Sequence, residues 1–280
     1  MKVAFIGLGD IGLPMALNLI DAGFEVEGTD LSAEAKQRLQ DAGGTAVDDP
    51  RELVSCDVVC VAVPDDEAAE AVLFASGLVD GLASSTPQVL LHSTLLPQTV
   101  IALAERAAGS GVAVADAPVS WGAARARSGE LTLMVGGDVG AAGRSVLDAL
   151  GSVVAAGPVG AGAALKLTNQ LSMLAALQAL HEGLALSDEF GVDREVVLST
   201  LQSSTGDSWV ARNWGFFDEL ARSYDRSGTP VRYRPWSKDL WDVVATGRRA
   251  GLSLPLAALL SQILAEGVES RAHADREDRA

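Results

Sequence analysis

The run Gly7-Leu8-Gly9-Asp10-Ile11-Gly12 constrains this chain more than any other feature, because of what stands on either side of it. It follows the apolar segment Val3-Ala4-Phe5-Ile6 and opens a helical pattern containing Pro14, Met15, Leu17 and Leu19. Strand, glycine turn and helix in that order form the start of a βαβ unit. Gly7 permits the tight turn, Gly9 lets the backbone approach a pyrophosphate, and Gly12 lets helix and strand pack closely. The helix N-terminus then offers N–H groups and a positive dipole end to phosphates. Asp30 stands at the end of the second strand candidate, Glu25-Val26-Glu27-Gly28-Thr29. A carboxylate there accepts the ribose hydroxyls of NAD and repels a 2′-phosphate, and Leu31 stands where a basic partner for that phosphate is often found. The alternative is a glycine turn with Asp30 as a helix cap beside Ser32. It is the weaker reading, because strand, glycines, helix and acid occur in sequence.

The pattern continues through the first half. Apolar runs at 2–6, 25–29, 57–63, 88–92, 112–115 and 131–135 alternate with helical patterns such as 14–22, 33–42 and 98–108, the signature of a parallel α/β sheet. Gly23 and Gly43 read as helix stops, and Asp138 as the cap of a further helix. Beyond Gly157-Pro158 no alternating strand pattern recurs. Long helical stretches follow, with a polar loop around 223–235 and a charged end, 270–280, expected to be frayed or loosely docked. These features predict a doubly wound, Rossmann-type α/β domain over 1–158 and an all-α domain over 159–280.

Several separate motifs, in order along nearly the whole chain, resemble the β-hydroxyacid dehydrogenase family, which includes 3-hydroxyisobutyrate dehydrogenase and tartronate semialdehyde reductase. They are the opening glycine signature through Leu19, Ser93-Thr94-Leu95-Leu96-Pro97, Asp116-Ala117-Pro118-Val119-Ser120, Gly129 through Gly137, Gly160-x-Gly162-x-x-x-Lys166-x-x-Asn169, and Lys238-Asp239-Leu240. The resemblance implies that Lys166 is catalytic. It places Val63, Pro64, Thr94 and Lys238 around NAD with Gly7, Leu8, Gly9, Asp10, Ile11, Gly12 and Asp30. It also implies that Ser120 and Gly122 hold a substrate carboxylate, with the active site between the domains. Two positions depart from the family. Its Ser-Gly-Gly reads Ser120-Trp121-Gly122, and its asparagine four residues beyond the lysine is Gln170, while Asn169 keeps the preceding amide. Both changes, and so Trp121, Asn169 and Gln170, fall on the substrate side.

Lys166 draws notice without the family, as the one charge between Val153 and Leu180. On a helix it shares a face with Asn169 and Gln170. An ammonium there can stabilise and protonate the oxygen formed by hydride transfer to a carbonyl, and a neutral lysine can take the alcohol proton in reverse, aided by burial. A lysine snorkelling from a core helix is the competing reading.

Composition narrows the classes that remain. With 48% hydrophobic residues the 280-residue chain can build sizeable cores, and a net charge of −16 argues against nucleic acid. The apolar stretch before Leu180 carries scattered amides and hydroxyls that a bilayer would leave unpaired, so no membrane span is expected. Cys56 and Cys60 suit neither a disulfide framework nor a metal site, and Cys60 reads as a core thiol. His92, His181 and His273 are too dispersed for a metal cluster, and His92 and His181 read as structural. Trp209, Trp214, Phe216 and Phe217 read mainly as helix core, and Arg232 and Arg234 as solvated loop cations. The expectation is a cytoplasmic, homo-oligomeric oxidoreductase (dimer or tetramer) for a small carboxylate-bearing substrate. An imine reductase and a non-catalytic NAD-binding sensor or scaffold are the alternatives. Imine reductases of this architecture usually replace the lysine, so Lys166 speaks against the first.

Overall fold

In the computed structural model, which describes residues 1–82 and 87–277, the apolar runs of the first half become strands of one sheet. In chain order these are β1 (Lys2–Ile6), β2 (Glu25–Thr29), β3 (Thr45–Ala46), β4 (Val58–Val61), β5 (Gln88–Leu91), β6 (Ala113–Asp116), β7 (Val119–Ser120), β8 (Leu131–Gly136) and β9 (Gly151–Gly157). The helices among them are α1 (Gly12–Asp21), α2 (Ala33–Asp41), α3 (Asp66–Glu70), α4 (Leu78–Leu82), α5 (Pro97–Ala108), α6 (Gly122–Ser128) and α7 (Ala141–Leu150).

The spatial order is β3-β2-β1-β4-β5-β6-β8-β7, with β9 on β8. Strands β1 to β6 run parallel, β8 is antiparallel to β6 and β7, and β9 is parallel to β8. Strand order reverses at β1, which pairs β2 on one side and β4 on the other, the switch point at which such sheets bind ligands. Alternate residues feed opposite faces: Val3, Phe5, Val58 and Cys60 join one buried cluster, while Ala4, Ile6, Val59 and Val61 join the other. A sheet buried on both sides explains why these segments read as unbroken apolar runs.

By contacts the chain divides into two units, Met1–Lys166 and Leu167–Ala280. Six further helices follow the sheet: α8 (Ala161–Glu189), α9 (Arg194–Gln202), α10 (Trp209–Arg212), α11 (Phe216–Ser227), α12 (Lys238–Arg249) and α13 (Pro255–Glu277). In the second unit Leu174, Leu177, Leu180 and Leu184, at helical spacing on α8, meet Phe217, Trp236, Leu260 and Leu264 in one core.

Three expectations are corrected. Asp138 caps nothing: α7 begins after Gly140, and the Gln88 amide fixes that loop by accepting from Gly140 N at 2.8 Å and donating to Asp138 O at 3.2 Å. Of the charged end, α13 continues to Glu277, with Arg271 3.8 Å from Asp218 and the exposed His273 3.4 Å from Asp225. Arg234 is no solvated cation. It is buried and holds Asp225, Glu269 and the carbonyl of Thr229, while Arg232 stacks on Tyr233. The polar loop is shorter than expected, since α11 continues to Ser227. Among the described residues no helix is long and apolar enough to cross a membrane, and no group of three His, Cys, Asp or Glu is placed to hold a metal.

Candidate active site

The parallel ladder brings the carboxyl ends of β2, β1, β4 and β5 into one row. Gly7 N donates to Thr29 O at 3.0 Å, Ala62 N to Ile6 O at 2.8 Å, and His92 N to Val61 O at 2.8 Å. Gly7, Asp30, Val63, Pro64 and Thr94 therefore lie along a single edge. Gly7 has φ +90°, and a Cβ there would stand 2.1 Å from Ala62 O, so neither the turn nor the strand spacing tolerates a side chain. At Gly9 nothing lies within 4 Å of where a Cβ would be, and no side chain caps α1. This leaves bare backbone and helix-terminal N–H groups, a cradle that suits a pyrophosphate. Asp30 is fixed by accepting from Leu8 N at 2.6 Å and Ser32 N at 2.7 Å. Each carboxylate oxygen keeps a further lone pair for ribose hydroxyls. Ser32, rather than Asp30, caps α2, and Leu31 is fully exposed beside the carboxylate. The residues present thus fit an adenine dinucleotide. Behind the row, Val63 N donates to Ser93 Oγ at 2.8 Å.

His92 belongs to the core rather than to chemistry. Burial pushes its pKa down to about 4, against the hydrogen bond from its Nδ1 to Ala117 O at 2.9 Å, and its ring stacks on Phe5. Burial likewise pushes His181 down to about 4, with Arg271 adding to the effect. The Cys60 thiol, wholly buried on β4, is pushed well up.

The row continues at Asp116, the last residue of β6. It is buried, and its two carboxylate oxygens accept from Gly160 N at 2.7 Å and Ala163 N at 2.6 Å. These donors stand at the N-terminal end of α8, Gly160 just before it and Ala163 in its first turn, where a carboxylate is favourable to the helix dipole. Desolvation raises the Asp116 pKa, with those N–H donors pulling the other way. Backbone packs on backbone here: a Cβ on Gly162 would meet Met134 O at 2.1 Å and Asp116 Oδ2 at 2.8 Å. Gly162, Ala163, Lys166, Leu167 and Gln170 then form the buried face of the helix, with Lys166 only 8% exposed. Sequence reasoning had placed Asp116 in a substrate-side loop and gave it no role of its own. Its partners lie 44 and 47 residues away.

In the loop region after β6, β7 pairs Ser120 with Thr132 of β8. Among the described residues Ser120 Oγ is buried with no hydrogen-bond partner. Trp121 is the one described residue other than glycine with a left-handed backbone, φ 93°, a conformation that costs roughly 1–2 kcal/mol. Its indole N–H donates to Thr132 Oγ1 at 3.0 Å, and the Arg125 guanidinium lies 3.9 Å above the ring. Gly122, at φ +73°, opens α6.

In the second unit, Gln170 donates to Asp239 Oδ2 at 2.6 Å and accepts from Asn169 Nδ2 at 3.1 Å. Asp239 opens α12 beside Lys238, whose ammonium is 2.6 Å from Asp242. Gln170 thus acts first as a buried link between α8 and α12.

Comparison with known proteins agrees with this geometry. The family profile described as the NAD-binding domain of 6-phosphogluconate dehydrogenase matches residues 2–160, and that of the NAD-binding part of NADP-dependent 3-hydroxyisobutyrate dehydrogenase matches 160–280. An L-threonate dehydrogenase of Cupriavidus necator is 36% identical over 94% of this chain and 89% of its own length. A NAD-dependent L-serine dehydrogenase of Pseudomonas aeruginosa is 34% identical over 92% and 89%. The Mycobacterium tuberculosis 3-hydroxyisobutyrate dehydrogenase, solved with L-serine, shares the fold with TM-score 0.80 at 23% identity, covering 98% of this chain and 99% of that one. A switch-point cradle with a fixed ribose-side carboxylate, matched from end to end by such relatives, places this chain in the β-hydroxyacid dehydrogenase family, as an NAD(P)-dependent oxidoreductase acting on the CH–OH group of hydroxyacids.

Proposed function

We propose that the chain interconverts small 3-hydroxy acids and their semialdehydes, with Lys166 as general acid/base. The observation that carries this reading is a buried lysine on the helix whose first turn is clamped by Asp116 to the carboxyl edge of the sheet. The nicotinamide, when bound, accepts or gives the hydride. Lys166 Nζ takes the hydroxyl proton in oxidation, and in reduction returns it to the oxygen while its charge stabilises that oxygen. Ser120 and Gly122 hold the carboxylate, with Trp121 bordering the site. Asn169 orients the substrate and is itself oriented by Gln170. Gly7, Leu8, Gly9, Asp10, Ile11 and Gly12 cradle the pyrophosphate, Asp30 takes the ribose, Val63, Pro64 and Thr94 line the nicotinamide side, and Lys238 completes the cofactor site. In this reading residues 1–158 bind the dinucleotide and 159–280 the substrate and a second subunit. Imine reduction ranks lower, because the relatives named for L-threonate and L-serine are above 30% identity, whereas the imine reductases of similar fold are 16–20% identical. A panel of L-serine, L-threonate and 3-hydroxyisobutyrate with either cofactor, followed at the NADH absorbance, tests the reading. Failure of all three in both directions would sink it.

NAD should be preferred to NADP. The 2′-phosphate would meet Asp30 with the apolar Leu31 beside it, a discrimination on the order of 1–3 kcal/mol. Steady-state kinetics with both cofactors decide, and equal efficiency with NADP would contradict the role given to Asp30.

Association and compartment belong to the same reading. Leu186 at the end of α8, Phe190 and Val192 in the turn after it and Val196 on α9 leave exposed apolar side chains, which suit a second copy of the chain. Sedimentation at micromolar concentration is expected to show a dimer or tetramer, and a monomer would refute this. Two free, buried thiols accord with a cytoplasmic setting.

A further inference from the structure

Register pairing places Ser120 and Thr132 directly opposite each other, so their side chains share one face of the sheet. Because the Trp121 indole N–H is bonded to Thr132 Oγ1, its ring is folded back over that face, on the side of the buried, unpartnered Ser120 Oγ. Arg125, one helical turn along α6, lays its guanidinium on the ring. Among the described residues Arg125 has no carboxylate partner, whereas Arg127, two positions on, pairs with Asp21. The loop therefore carries a hydroxyl awaiting a ligand, an aromatic wall beside it, and a cation braced on that wall. A guanidinium resting over a ring face keeps N–H donors that can serve a carboxylate. The left-handed backbone at Trp121 is the cost of placing the wall there.

We propose that Trp121 and Arg125 form a second anion subsite, which makes the enzyme selective for 3-hydroxy acids that carry another carboxylate. The first carboxylate is held at Ser120 and Gly122, so the inference rests on the reading proposed above. The length of the arginine sets the second carboxylate a few bonds from the reacting carbon. Thr132 acts as a positioning residue, holding the indole through its hydroxyl.

The test compares kcat/KM for 2-(hydroxymethyl)glutarate with that for 3-hydroxyisobutyrate, two 3-hydroxy acids that differ by a carboxylate-bearing arm. The native enzyme should favour the diacid. Arg125→Gln should lower the diacid-to-monoacid ratio about tenfold, mostly through KM, as expected for loss of one charge-assisted pair. Trp121→Gly, which relieves the left-handed backbone and so should fold, should lower the ratio similarly, and the two changes together should not add. Thr132→Val should give a smaller fall in the same ratio. Turnover of the monoacid with a ratio that none of these variants moves would overturn the subsite alone. Turnover of neither acid, nor of L-serine or L-threonate, would overturn the subsite together with the reading on which it rests.

Discussion

Lys166→Met is expected to remove most turnover while leaving the fold and NADH binding in place. Methionine keeps the length and apolar stem of lysine, so the buried face of α8 formed by Gly162, Ala163, Lys166 and Leu167 stays filled. What is lost is a proton and a positive charge. A positioned proton-transfer group contributes about 10²–10⁴-fold, and loss of oxyanion stabilisation adds to that. The nucleotide cradle at Gly7 to Gly12 and Asp30 is built from β1, α1 and β2, none of which contains the substituted residue. Turnover on any accepted substrate, NADH affinity by fluorescence and the thermal transition suffice as measurements. A folded variant that binds NADH and turns over near the native rate would remove Lys166 from the chemistry. If stability fell along with turnover, Lys166→Arg would separate the effects: it keeps the charge but cannot give up its proton near neutral pH, so it should remain folded and slow.

Asp116→Ala should be the most damaging change away from the reacting groups. It leaves Gly160 N–H and Ala163 N–H without their acceptor in a buried place, at about 1–3 kcal/mol each. A thermal transition should fall roughly 2–4 °C for each kcal/mol. Turnover measured below that transition should also drop, because the released turn is the one that orients Lys166. Asp116→Asn retains one acceptor oxygen and should recover part of both losses. Were Asp116→Ala to melt like the native protein, the clamp would carry no weight. If it melted early but kept native kcat when folded, the clamp would stabilise without positioning. KM for NADH should change little in either variant.

How much of this was legible beforehand follows from the range of the interactions. Strands β1, β4, β5, β6 and β8 could be read because they are largely buried and therefore written mostly in apolar residues, and β2 because it stands between the glycine-opened helix and Asp30. β3 and β7 could not, since two residues carry no period. β9 lies at the end of the sheet and alternates between half-buried and exposed, and its small residues Ala155, Ala156 and Gly157 resemble a loop before a helix. Arg234 reads as a solvated cation in the sequence because its partners Asp225 and Glu269 lie 9 and 35 residues away, on two separate helices.

By itself the sequence determined the dinucleotide unit, since strand, glycine turn, helix and ribose-side carboxylate are local and succeed one another within thirty residues. It also singled out Lys166, as a lone charge in an apolar stretch. Only the tertiary structure decided what holds that lysine in place and what surrounds Ser120. The clamp of Asp116 on α8 and the fold of Trp121 onto Thr132 both depend on strand pairing and backbone approach across the chain. One-dimensional patterns report burial and turn geometry, and they contain no distances between residues that the fold alone brings together.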